Sequence, residues 1–117
     1  MPDRYKVADL DARELQPGHH GRFIHSEHTT HVYWEIQAGA ELPDHSHPHE
    51  QIVNVLEGTI EMQVRGGELT RLGPGETFFE SPDNIHEVSR NASSTEPAKF
   101  LVHILKTVGE PVTVPVE

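Results

Sequence analysis

Cysteine is absent from this 117-residue chain, aromatic residues make up only 6% of it, and nine basic side chains stand against nineteen acidic ones. Without cysteine there is neither a disulfide nor a thiolate metal site, so any bound metal must take nitrogen and oxygen donors. The redox compartment is left open. With 34% apolar residues the chain can fill one thin core, of the kind a sheet sandwich or barrel makes or a partner subunit completes. A homodimer is expected on these grounds. A formal charge of −10 with no basic stripe repels phosphate backbones and anionic lipid, which argues against nucleic-acid and membrane partners. No stretch approaches membrane-spanning length, and residues 1–10 carry no apolar core behind a basic end. The expectation is a soluble cytoplasmic protein.

Apolar residues do recur with period two, broken at short intervals by turn residues, which is the signature of an all-β sandwich or barrel. The alternation predicts strands over residues 5–10, 21–25, 30–38, 51–56, 59–64, 68–72, 76–80, 85–90 and 99–106. Gly66-Gly67 reads as a tight hairpin turn, because glycine enters positive φ without steric cost. Gly73-Pro74-Gly75 and Ser81-Pro82-Asp83-Asn84 read as turns on similar chemistry. Only residues 10–15 hint at helical spacing, so little helix is expected. Residues 91–97 form a polar loop rather than a linker, since a β segment follows at once. The chain 1–117 is therefore one domain, with its core at about 30–106, N-terminal strands before it and a proline-containing tail after it. Pro111 and Pro115 exclude that tail from a central strand and suit it to a sheet edge or a neighbouring subunit.

Against this background stands the string Asp44-His45-Ser46-His47-Pro48-His49-Glu50-Gln51. Successive side chains of a strand point to opposite faces, so His45, His47, His49 and Gln51 can project together and converge on one metal ion. Histidine is the commonest side-chain ligand for divalent transition metals. In a chain with ten histidines, a pair spaced by one residue is weak evidence alone. The frame adds specificity: Gly39, five residues, His45-Ser46-His47, three residues, Gln51, six residues and Gly58, followed later by Gly75, six residues, Pro82 and then His86.

Those two spaced motifs resemble the cupin superfamily, whose fold is a double-stranded jelly-roll β-barrel, in agreement with the strands read above. The resemblance implies that His45, His47 and His86 are metal ligands and that Gln51 holds the fourth position, usually a glutamate. A neutral amide leaves the site one negative charge poorer and binds through its carbonyl oxygen more weakly than a carboxylate does. Glu50 is adjacent, but strand alternation turns it to the opposite face. His49 shares the parity of His45 and His47 and stays open as an alternative or supporting ligand. Asp83 stands where the family often has glycine, and aspartate tolerates left-handed geometry better than most residues. Such a donor set holds one divalent transition metal (zinc, nickel, iron, manganese or copper) with one or two coordination positions open, which suits catalysis.

The function implied is Lewis-acid activation of a small oxygenated or carboxylated metabolite. The string from His45 to Gln51 looks most like cupins that ketonise unsaturated uronates, which implies sugar-acid isomerisation. Where those proteins carry an aspartate and an aromatic residue on the last strand, this chain has His103 and Leu105, and Val108-Gly109-Glu110 offers no downstream arginine. His103, interrupting the apolar run 100–105, is read as facing the cavity and acting as the acid–base group. Tyr33, Trp34, Met62, Phe78 and Phe79 are read as core, with Tyr33, Trp34, Met62 and Phe78 also walling a pocket. Arg90 shares the parity of His86 and would then meet a substrate carboxylate. His19, His20, His25, His28 and His31 are irregularly spaced and read as surface or subunit-contact residues. The alternatives are a dioxygenase acting on a small carbonyl or phenolic substrate and a non-enzymatic metal- or small-molecule-binding module.

Overall fold

The computed structural model describes residues 6–46, 49–82, 84–105 and 114–115. His47, Pro48 and Asp83 lie outside the described residues, as do Tyr5, Lys106, Val108-Gly109-Glu110 and Pro111. In chain order the strands are β1 (Arg13–Gln16), β2 (His19–His25), β3 (Thr29–Ile36), β4 (His45–Ser46), β5 (Gln51–Glu57), β6 (Ile60–Val64), β7 (Thr70–Leu72), β8 (Thr77–Glu80), β9 (Ile85–Asn91), β10 (Ala98–Leu105) and β11 (Val114–Pro115).

They form two antiparallel sheets, ordered β1-β2-β3-β10-β5-β8 and β11-β4-β9-β6-β7. This is the expected jelly-roll barrel. β5 shows why the sequence folds so: Gln51, Val53 and Val55 are buried while Ile52 and Leu56 are exposed, the alternation of a strand with one face on a core. The inner faces meet in a cluster of Val32, Ile36, Val53, Val55, Ile60, Met62, Leu72, Ala98, Val102 and Ile104. Burying each of the larger of these side chains is worth roughly 1.5–3 kcal/mol. Gly58, which closes the first motif, takes φ 77°, and a Cβ there would stand 2.9 Å from both the Ala98 Cα and the Pro97 carbonyl oxygen.

Some expected elements differ. Of the strand expected over residues 5–10, the described residues 6–10 carry a single 3₁₀ turn, Val7–Asp9, instead. The stretch read as weakly helical instead contains β1, whose four residues are all exposed and whose pairing with β2 is irregular at Glu14/Gln16. An exposed edge strand leaves no period-two burial to read. Gly66 turns the chain at φ 86°, with the Gly67 amide donating to the Val64 carbonyl at 2.8 Å, and β6 pairs β7 as expected. In the tail, Val114 and Pro115 pair with Ser46 and His45 at a sheet edge. Among the described residues no helix is long and apolar enough to cross a membrane.

Candidate metal centre

β4, β5, β8 and β9 carry the polar side chains that meet inside the barrel. His45 pairs with His86 across the β4–β9 ladder, and Gln51 pairs with Glu80 across the β5–β8 ladder. All four are nearly inaccessible, at 6% for His45, 3% for Gln51, 1% for Glu80 and 1% for His86. The two imidazoles stack with centroids 5.0 Å apart and planes 23° from parallel. His86 Nε2 lies 3.5 Å from Glu80 Oε2. His45 donates its Nδ1–H to the Pro43 carbonyl at 2.9 Å. A carbonyl only accepts, so the proton sits on Nδ1 and Nε2 keeps the lone pair that a metal takes. The buried amide nitrogen of Gln51 has no hydrogen-bond partner among the described residues. Turning the amide about its last bond presents oxygen in place of nitrogen, so Gln51 can serve as an oxygen donor at the same place.

These residues fit a metal held by nitrogen and oxygen donors. Among the described residues no group of three His, Asp or Glu side chains is placed to hold a metal ion. The third expected imidazole, His47, lies outside the described residues. Glu50 precedes β5 and is exposed, and His49 is half-buried and does not line the cavity.

The cavity beside these donors has a volume of about 180 Å³. His45, Gln51 and Glu80 contribute to its wall, and Trp34, Ile36, Val53, Met62, Phe100 and Val102 make much of the remainder apolar. Trp34 and Met62 thus line it as expected, whereas Phe78 packs on the core without reaching the cavity. Tyr33 alternates with Val32 and Trp34 on β3 and faces outward. Phe79, read as core, is 56% exposed, because the inward positions of β8 are Phe78 and Glu80.

His103 is not in the cavity. Ala98, Phe100, Val102 and Ile104 are the inward positions of β10, so His103 falls on the outer face, where its Nδ1 is 3.0 Å from Nε2 of His31. Histidine placed at an outward position by strand parity cannot reach a substrate inside. Arg90 departs from the expected parity because β9 has a bulge. Val88 pairs with Gln63 and His86 with Val64, leaving Glu87 extra, so Ser89 joins His86 on the inner face. Arg90 contributes to the cavity wall, yet its Nε donates to Glu61 Oε1 at 2.9 Å, while Arg71 donates to Oε2 at 2.8 Å. The two guanidinium hydrogen bonds, from Arg71 first and then Arg90, hold the Glu61 carboxyl below its ordinary value.

Two residues of the site escaped the sequence reading. Glu80 carried a signal, since a charged residue shares the inward parity of Phe78. His19, read as a surface residue, is buried in the cavity wall, with its Nδ1 3.1 Å from the Pro17 carbonyl. Burial pushes its pKa below 6.5, the Pro17 hydrogen bond pulls it back up, and His20 adds a smaller lowering. The other upstream histidines disperse: His20 meets Glu14 at 3.4 Å, His25 meets Thr30 at 2.9 Å and His28 meets Glu27 at 3.5 Å.

Comparison with known proteins agrees with this architecture. The cupin domain family model matches residues 32–104. The chain is similar in structure to KdgF from Halomonas sp., with 21% identity, 92% of this chain and 97% of that one covered, and a TM-score of 0.75. It is also similar to an RmlC-like cupin from Shewanella frigidimarina (19% identity, 93% and 95% covered, TM-score 0.77). A third likeness is to the polyketide cyclase RemF from Streptomyces resistomycificus (21% identity, 100% and 88% covered, TM-score 0.79). Among curated proteins none matches the chain in sequence.

Proposed function

The chain belongs to the cupin family, and we propose that it is a metal-dependent enzyme that activates a small oxygen-bearing metabolite inside the barrel. The observation that carries this reading is the stacking of His45 on the buried His86 beside a cavity whose wall takes in His45, Gln51 and Glu80. His45, His86 and Gln51, with His47 on the family pattern, would hold one divalent transition metal. Bound there, the metal supplies Lewis-acid polarisation of a substrate oxygen.

The remaining wall sets what fits. Trp34, Phe100, Val53 and Val102 favour an apolar or flat substrate body. A free sugar acid matches the apolar part of this wall poorly, because hydroxyl groups buried against it go unpaired. The acid–base role read for His103 and the carboxylate contact read for Arg90 both lose support, the first from its outward position and the second from its engagement with Glu61. An oxygenated substrate with an apolar body, such as an enolisable carbonyl or phenolic acid, is therefore preferred to a uronate. The similar polyketide cyclase RemF is in keeping with such a body.

Metal-loaded protein incubated with a panel of such compounds and with a 4,5-unsaturated uronate tests the reading. Turnover of a panel member without oxygen uptake supports it, and loss of the uronate ring form under anaerobic conditions returns the sugar-acid reaction to first place. Oxygen uptake with iron or copper bound would make the protein a dioxygenase, while no turnover with any common metal would leave a binding module. A homodimer belongs to the same proposal, supported by the exposed Ile52, Leu56, Phe79 and Leu105; sedimentation measures it.

A further inference from the structure

His19 and Gly21 are inward positions of β2, and they build different parts of one wall. Gly21 pairs with Trp34 and makes room for its ring, since a Cβ there would stand 3.0 Å from the indole Cζ3. His19 is 4% exposed and lines the same cavity as Trp34. It pairs with Ile36 on β3, whereas Gln51 is registered through Ile104 with Thr30, near the other end of that strand. His19 thus stands toward the far end of the cavity from Gln51.

The hydrogen bond of its Nδ1 to the Pro17 carbonyl fixes the tautomer, because a carbonyl only accepts. Nε2 keeps a lone pair and has no hydrogen-bond partner among the described residues. Burial lowers the pKa of the ring below 6.5 against the smaller pull of the Pro17 bond, so that lone pair carries no proton at neutral pH. On the facing sheet, the buried Oγ of Ser89 also lines the cavity and has no partner among the described residues. Buried polar atoms are almost always paired, so two unmet ones in a cavity wall mark where an occupant's polar group belongs.

The chemistry of that group follows. A carboxylate or ether oxygen has no proton to give, and its lone pairs oppose that of Nε2. An ammonium group has protons but loses its hydration against Trp34, Phe100 and Val102. A hydroxyl group meets the acceptor with no charge to desolvate. We propose that His19 is the acceptor of a hydroxyl-recognising subsite, and that the cavity takes a flat-bodied molecule bearing an aromatic hydroxyl at this end. The hydroxyl donates to Nε2 while the ring packs beside Trp34. This inference rests on the reading of the cavity as a binding site, and it requires no metal.

Phenol and its methyl ether, anisole, are the probes, since they share a ring and differ in the donated proton. Binding to the metal-free full chain is followed by the emission of Trp34, the single tryptophan, and by proton–nitrogen correlation spectra of the labelled histidine rings. Phenol is expected to bind roughly fivefold more tightly than anisole and to shift the His19 Nε2 resonance, which anisole leaves in place. His19→Asn keeps an amide donor near the Nδ1 position for Pro17 and removes the acceptor at Nε2, so the preference should shrink to about twofold or less. His19→Gln carries an amide oxygen out to the Nε2 position and should hold a preference of about threefold. Thermal unfolding of each variant separates misfolding from loss of the acceptor, and the Nε2 shift in the parent decides the matter if a variant fails to fold. Equal binding of the two probes, or an Nε2 resonance unmoved by phenol, overturns the proposal while leaving the cavity a binding site. Full preference retained in folded His19→Asn overturns it as well. No binding of either probe overturns this inference together with the apolar-bodied substrate preferred above, and leaves the metal reading to its own test.

Discussion

His31 and His103 meet across the β3–β10 ladder with Nε2 and Nδ1 3.0 Å apart and rings 77° from parallel, on the side of the sheet facing away from the cavity. One nitrogen must donate and the other accept, so the contact needs at least one neutral ring. Burial, and then the charge of His103, lowers the pKa of His31 below 6.5. The unfolded chain therefore takes up a proton before the folded one as pH falls, and this pair's contribution, complete above about pH 6.5, is lost as pH drops through the folded value. Replacing His103→Gln removes the charge but leaves the burial, so His31 should titrate higher yet still below 6.5. Proton NMR titration measures it, and His31 titrating at 6.5 or above in the parent protein would show the pair to be ineffective. The same variant should keep parent metal content and turnover, because residue 103 lies outside the barrel.

Metal retention should depend on the buried His86 and on His47, the ligand implied by the family pattern. His86→Gln and His47→Ala are each expected to abolish tight metal binding, read as metal per chain after dialysis; normal content in either would remove that residue from the ligand set. Gln51→Glu alone should retain metal and alter turnover. Unaltered turnover would argue that Gln51 is not a ligand.

Acid sensitivity should be partly traceable to Glu61. Its carboxyl is held below the ordinary value of 4.5 by hydrogen bonds from Arg71 and then Arg90. Stability from this group is present above pH 4.5 and declines as pH falls through the folded value, since the unfolded chain is protonated first. Glu61→Gln should lower the urea midpoint at pH 7 and flatten its fall between pH 5 and pH 3. A variant with the same acid profile as the parent would place the sensitivity elsewhere.

Gly58→Ala should destabilise the fold by about 2 kcal/mol or more, combining positive φ with the close backbone of Pro97 and Ala98. Denaturant unfolding checks this, with Gly39→Ala as the comparison. Gly39 also has positive φ, but no atom lies within 4 Å of a Cβ built there, so its cost should be smaller. Equal losses at the two positions would show that the close approach adds nothing.

Much of the barrel was legible because one-sided burial writes itself into a strand as alternation. Val53 and Val55 against Ile52 and Leu56 set the inward face of β5, and the same parity put Gln51 inside and Glu50 outside. The reading failed where alternation is absent or broken. The exposed β1 carries no pattern, and His103 lies in an apolar run whose two faces differ little in the sequence. On β9 the bulge at Glu87 shifts the parity of everything after it, so counting from His86 misplaced Arg90.

The sequence by itself determined the class of fold, the absence of thiolate chemistry and the inward parity of Gln51, since composition and period-two burial are local properties. Only the tertiary structure decided which neighbours share that interior. The register of β5 on β8 set Glu80 beside Gln51, and the pairing of β10 with β3 joined His103 to His31. Register is a relation between segments distant along the chain, fixed by how the two inner faces pack, and no single strand carries it.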